Sequence, residues 1–202
     1  GVILKPLPYR DSDRLAMVLL YNRSLKYATE VSDPDFLDWR RDARSFEQIA
    51  AFVPSDFDLN GPGLPQHLEG YQVSSNFFRT LGVKLVAGSS FSSDNDRIGG
   101  TPAAVISNRL WRERFQSSPT AIGRSIILDG TSFRISGVLP PDFRFENNLA
   151  DVYTPVGRTD PLYRKDRTVH NVLCVARLRP GVEIAQARAA MNALTAFVRS
   201  QE

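Results

Sequence analysis

Val31-Ser32-Asp33-Pro34-Asp35-Phe36-Leu37-Asp38-Trp39-Arg40 reads as the opening of a helix. Ser32 or Asp33 can cap it, and Pro34 falls in its first turn, where the missing N–H costs nothing. Phe36, Trp39 and Ala43 then recur at helical spacing, with Arg40, Arg41 and Arg44 mostly on other faces. Upstream, Leu15-Ala16-Met17-Val18-Leu19-Leu20 is a continuous apolar run of strand length, as expected for a strand covered on both faces. Gly1 to Arg10, with Pro6 and Pro8, reads as extended. Downstream, Ser45 with Gln48 resembles a capping box that restarts a short helix through Phe46, Ile49 and Ala50.

The same alternation continues. A strand ending at Leu59, a turn at Asn60-Gly61-Pro62-Gly63 and a strand from His67 to Val73 carry a strong hairpin signal. Ser74 or Ser75 can cap a short helix through Phe77, Phe78 and Leu81 that stops at Gly82. Val83 to Val86 reads as a short strand, and the polar stretch Ser89 to Gly100 as a boundary between subdomains. Ala103 to Ile106 is a strand, followed by a helix capped at Ser107 or Asn108 that holds Leu110, Trp111 and Phe115. Ile126 to Leu128, Asp129-Gly130 and Phe133 to Val138 form a second hairpin, which Pro140-Pro141 ends. A short strand follows at Asp151 to Val156, and Asn171 to Leu178 around Cys174 reads as a largely buried strand. Pro180-Gly181 then leads into a last helix, where Ile184, Ala187, Met191, Leu194 and Val198 make one apolar stripe. The sum is a mixed α+β chain with short helices on sheets.

Composition narrows the function. The 202 residues carry 25 basic and 22 acidic side chains, a net charge of +3. The basic residues fall in small groups (Arg40, Arg41, Arg44; Arg109, Arg112, Arg114; Arg164, Lys165, Arg167) with acidic neighbours, unlike the one-sided footprint of a nucleic-acid binder. The longest strictly apolar run, Leu15 to Tyr21, is far short of the roughly twenty residues a membrane helix needs. The missing initiating Met and leader suggest a piece of a longer chain. A single cysteine, Cys174, excludes an internal disulfide and a thiolate metal cage, and reads as a small buried apolar side chain.

Tests for chemistry come out negative. His67 with Glu69 shares a strand face, which is a metal half-site or an ordinary surface pair, and the scarcity of other ligands favours the surface pair. Asp94-Asn95-Asp96 lacks the later oxygen ligands of a calcium loop. Asp33, Asp35 and Asp38 already have a reason to open a helix, because they complement its dipole. Asn22-Arg23-Ser24 fits a glycosylation pattern too short to carry weight. No phosphate loop, nucleophile elbow or His-Glu zinc motif is present, so no catalytic, cofactor-binding or metal-binding residue is assigned.

The ordered motifs carry a resemblance that composition does not. Leu7-Pro8-Tyr9 with Asp13-Arg14-Leu15, then Val31 to Arg40 with Ser45-Phe46-Glu47, is similar to the opening of one bacterial permease domain. Val73-Ser74, Phe77-Phe78, Leu81-Gly82-Val83, Ile106-Ser107, Leu110-Trp111, Phe115, Gly123-Arg124 and Gly137-Val138 continue in the same order. Arg177-Leu178-Arg179-Pro180-Gly181-Val182 with Gln186-Ala187 closes it. Nearly the whole chain resembles the MacB-like periplasmic core domain of FtsX/MacB-type ABC transporter permeases, especially the duplicated permeases of acidobacteria. One departure is visible: the family usually reads Gly-Arg-x-Phe where this chain has Gly88-Ser89-Ser90-Phe91.

The resemblance implies an inner-membrane protein whose present domain lies on the periplasmic side, inserted between the first and second membrane helices. It implies a porter-like subdomain of βαβ-type units over 11–94 plus 164–202, a smaller Sabre-like insertion over 95–163, and residues 1–10 as an extended segment after the first membrane helix. It places ATP on a separate nucleotide-binding domain or subunit, so no cofactor is expected here. Expected partners are the chain's own flanking membrane helices, the ATP-binding subunit, a second permease copy or dimer partner, and a periplasmic protein or peptide substrate. The expected output is non-catalytic mechanotransmission, with the last helix as a lever. Two other classes stay open. One is a module binding a peptide, lipoprotein or accessory protein in a cleft lined by Phe52, Phe57, Phe91, Phe143 and Phe145. The other is a hydrolase using Asp33, Asp35 or His67.

Overall fold

The structure is a computed structural model and describes residues 2–6, 12–22, 27–61, 64–146, 149–158 and 166–200. In chain order, its elements begin with β1 (Val2–Pro6), β2 (Leu15–Asn22), β3 (Tyr27–Thr29), β4 (Val31–Ser32), α1 (Asp33–Asp42) and β5 (Phe46–Asn60). Next come β6 (Gln66–Val73), α2 (Phe77–Leu81), β7 (Ala87–Gly88), β8 (Ala103–Ile106), α3 (Asn108–Phe115) and β9 (Ser125–Leu128). The chain continues with β10 (Thr131–Val138), β11 (Val152–Pro155), β12 (His170–Leu178) and α4 (Ile184–Ser200). The chain divides into two compact units, one of residues 1–52, 79–82 and 159–202, the other of 53–78 and 83–158.

The first unit is an antiparallel sheet ordered β1-β2-β12-β5, with β3 on β2 and β4 on β12. Cys174 lies at its centre, opposite Val18 on one side and Ala51 on the other. Both β2 and β5 run antiparallel to β12, so they run parallel to each other, with α1 on the path between them. This is a split βαβ arrangement of the kind the family resemblance implies. Leu15, Ala16, Val18, Phe36, Trp39, Phe52, Val175 and Met191 are buried in its core.

The second unit pairs its strands in a closed circuit, β5-β6-β11-β8-β10-β9 and back to β5. The circuit closes through the short ladder of Leu59 with Leu128 and Asn60 with Ile127, as in small barrels whose interiors are filled by side chains. Phe57, Leu59, Leu68, Ala104, Ile106, Leu128, Ile135 and Val152 form that filling. The Asp129-Gly130 turn, with φ of 50° and 75°, does more than join β9 to β10. Asp58 N–H donates to Asp129 Oδ1 at 2.8 Å and Asp129 N–H to the Asp58 carbonyl at 3.0 Å, which fastens the turn to β5. Strand alternation puts Val152 in the filling and its neighbour Tyr153 on the opposite face. Tyr153 there joins Tyr71, Phe77, Phe78 and Phe145 in an edge-to-face and stacked aromatic cluster.

Two readings of the sequence are corrected. Ser45 to Ala50 is not a second helix: α1 ends at Asp42, and Phe46 starts the 15-residue β5. Its residues pair with β12 from Phe46↔Leu178 to Phe52↔Leu173, a tertiary ladder that overrides the capping-box pattern. Val83 to Val86 is not a strand; Val86 N–H donates to Val138, and only Ala87–Gly88 join the ladder. The polar stretch from Ser89 to Gly100 lies inside the second unit, and residues 53–78 and 83–94 belong to that unit too. Asp96 organises the stretch by accepting from the N–H groups of Ser75 and Gly157, both at 2.8 Å. Residues 7–11, 23–26, 62–63 and 159–165 lie outside the described set, and with them Leu7-Pro8-Tyr9, Arg23-Ser24, Pro62-Gly63 and Arg164-Lys165.

Candidate functional site

In the first unit, β1, α1 and α4 pack together, and the side chains that fix them are specific. The apolar stripe of α4 is used as expected: Ala187 and Met191 are buried, and Ile184, Leu194 and Val198 are half-buried. Thr195, four residues after Met191, is buried in the same stripe. Asn192, beside the stripe, accepts from the Val2 N–H at 2.6 Å and so ties α4 to β1. Ala190 and Phe197 face outward, the latter 62% exposed.

Helix α1 is pinned at its start. Ser32 Oγ accepts from the Asp35 N–H at 3.2 Å, the cap expected from sequence. Arg167, on the approach to β12, spreads its guanidinium across two carboxylates, Nη1 to Asp35 and Nη2 to Asp38, each at 2.7 Å. Asp35 is only 3% exposed, so this pair is shielded from solvent on one side. The two carboxylates, Asp38 first, raise the guanidinium's affinity for its proton. Arg14 joins three segments, donating to the Leu178 carbonyl at 2.8 and 3.1 Å and to Glu47 at 2.6 Å. Arg177, buried on β12, donates through Nε to the Thr80 carbonyl at 2.8 Å.

The remaining candidates are placed elsewhere. Cys174 is fully buried, and burial first, then the Asp33 carboxylate, push its thiol far up from the ordinary range. That is the inert setting for a cysteine. His67 is exposed on β6 with Asp58 at 3.1 Å and Asp56 at 3.8 Å, so its partners come from β5 more than from Glu69. The hydrogen bond to Asp58 leads in raising its pKa, helped by the charges of Asp56, Asp58 and Glu69 and opposed by burial. Among the described residues, no three His, Cys, Asp or Glu side chains converge as a metal site. No helix among the described residues is long and apolar enough to cross a membrane.

The aromatics expected to line a cleft are mostly core. Phe52, Phe57, Phe91 and Phe145 are buried, and Phe143 packs edge-on against Phe78 and Tyr153. A concave apolar surface of the second unit lies instead between α3 and β9. Its signal in the sequence was Phe115 at the end of α3 and the alternating Ser125-Ile126-Ile127-Leu128, of which Ile126 and Leu128 point inward. Asp151, also missed, is buried, accepts from Ser107 Oγ at 2.7 Å and pairs with Arg109. Ser89, at the one visible departure from the resemblance, is exposed.

Comparison with known proteins agrees with this architecture. A family model described as the MacB-like periplasmic core domain matches residues 5–194. No curated protein sequence matches the chain. Among solved structures, the periplasmic region of MacB from Actinobacillus actinomycetemcomitans superposes with a TM-score of 0.67 at 15% identity, covering 94% of this chain and 84% of that one. A domain of a putative permease protein from Porphyromonas gingivalis gives 0.67 at 16% identity, covering 95% and 84%. The extracellular domain of the noncanonic ABC-type transporter YknZ from Gram-positive bacteria gives 0.61 at 14% identity, covering 84% and 85%. At these identities the three share the fold.

Proposed function

Because this chain belongs to the MacB-like periplasmic core domain family, the periplasmic part of MacB/FtsX-like ABC permeases, we propose that it relays ATP-driven motion without catalysing a reaction itself. In this reading, ATP is bound and hydrolysed on a separate subunit, and the movement arrives through the flanking membrane helices. We assign the porter-like role to the first unit and the Sabre-like role to the second. A second permease copy completes the machine.

A relay needs a stiff body with a small number of alternative arrangements, because a soft one absorbs the displacement. The observation that carries the reading is the bond from Val2 to Asn192, set in the packing of β1 against α4. A push along α4 then reaches β1, and through β1 the ladder β2-β12-β5. The Arg167 clamp on Asp35 and Asp38 holds α1 on the same body. A non-catalytic role is supported by the engagement of those carboxylates with Arg167 and by the buried, proton-retaining Cys174.

The test is Ala190→Pro in the full-length permease with its ATP-binding subunit. Ala190 is exposed, so the change spares the packed stripe but removes a helix hydrogen bond. The reading expects ATP hydrolysis to persist while the periplasmic response is lost; transport at the parental rate would refute it. Ala190→Ser, which keeps the helix, is expected to behave like the parent.

A further inference from the structure

We infer that the second unit carries a docking groove for an extended, acidic segment of a partner protein, one with an apolar side chain next to a carboxylate. The proposal stands apart from the relay reading and survives if that reading fails. The groove encloses about 320 Å³ between the end of α3, the start of β9, the end of β5, Gly61 and Leu64. Its walls are Leu59, Leu64, Phe115 and Ile127, and its two charged groups are Arg114 and Arg124. Leu64 is 85% exposed and Ile127 40%, so the apolar lining continues onto the rim. An apolar surface rimmed by polar groups is the common mark of an interaction site.

The charges specify the occupant. Among the described residues, no carboxylate lines the groove. Arg114 is held in place by neutral acceptors, the Gln66 Oε1 at 3.0 and 3.2 Å and the Leu64 carbonyl at 2.8 Å. Arg124 lies over the Phe115 ring, its guanidinium carbon 5.5 Å from the centroid. Two positioned cations beside an apolar wall, with no counter-charge among the lining groups, complement an anion attached to an apolar body. Ser125 and Ser132 add hydroxyls to the lining, which suit the N–H and C=O groups of a peptide better than an acyl chain. The volume lies at the small end of the range for ligand pockets, which suits a short side-chain anchor.

The test pans a library of short random peptides against the full 202-residue chain and measures the recovered peptides by fluorescence anisotropy. The proposal expects Asp or Glu beside Leu, Ile, Phe or Met in those peptides. It also expects about tenfold weaker binding to Arg124→Gln and to Leu64→Ser, and further weakening in salt. Both side chains sit at the surface of the groove, and unchanged melting of the two variants confirms that folding is intact. Recovery of no peptides, of peptides without acidic enrichment, or of peptides that bind both variants like the parent overturns the proposal. Saturable binding of dodecanoate in place of any acidic peptide also overturns it and gives the groove to an anionic amphiphile.

Discussion

The backbone N–H of Val2 donates to Oδ1 of Asn192 at 2.6 Å, so the first strand described is fastened to the last helix by a side chain and not only by packing. Asn192→Ala leaves that N–H without its acceptor in a partly buried setting. The expected cost is about 1 kcal/mol, read as a lower thermal midpoint and faster hydrogen exchange at β1. Unaltered exchange in β1 would show that the bond does not hold the strand.

Met191 and Ala190 are neighbours on α4 with opposite fates, one buried and one exposed. Met191→Ala is expected to cost about 2–4 kcal/mol through lost burial and the cavity it leaves. Ala190→Ser is expected to stay within about 0.5 kcal/mol. Urea denaturation of the two variants checks the contrast.

Arg167 neutralises Asp35 from a partly exposed position. Arg167→Ala leaves the buried carboxylate uncompensated, with an expected loss of about 2 kcal/mol. Combining it with Asp35→Asn is expected to cost less than the sum of the single changes, because the partner charge is then gone. A double-mutant cycle by urea denaturation gives the coupling; strict additivity would contradict the clamp.

Gly70, inside the circuit of the second unit, has no room for a side chain. A Cβ there would run into the Val152 carbonyl and come within 2.8 Å of the Phe57 ring. Gly70→Ala is expected to cost about 1–3 kcal/mol through overpacking. Near-ultraviolet circular dichroism during thermal melting, which reports the aromatic cluster, checks it.

His67 titrates above its usual value because Asp58 and Asp56 favour the imidazolium. A raised folded-state pKa means the contribution is full below about pH 6.5, the unfolded value, and fades as pH rises through the folded value. NMR titration of His67 is expected to show the upward shift, and Asp58→Asn to reverse most of it. An unshifted His67 in the parent protein would refute the pairing.

Much of this was legible in the residues, and the failures have one cause. The Ser32 cap, the Asp129-Gly130 turn and the apolar stripe of α4 are local patterns, and local geometry obeys them. The stretch from Ser45 to Ala50 carries an equally good local pattern for a helix, yet pairing with β12 makes it a strand. The bond from Asn192 to Val2 spans nearly the whole chain, and the closure of β9 on β5 rests on residues far apart in sequence. The groove arginines look like a solvated charge group until α3 and β9 are brought together. Spacing reports neighbours along the chain, whereas these features depend on partners that only folding supplies.

The central claim is that nucleotide-driven movement reaches this domain through α4 and β1 together. Hydrogen exchange of the full-length permease, assembled with its ATP-binding subunit, measures this directly with and without ATP. The account predicts that protection changes in both elements when ATP binds, and that Asn192→Ala uncouples β1 from α4 while hydrolysis continues. Identical exchange in both elements in the two nucleotide states, from a transporter that is turning over ATP, would contradict it.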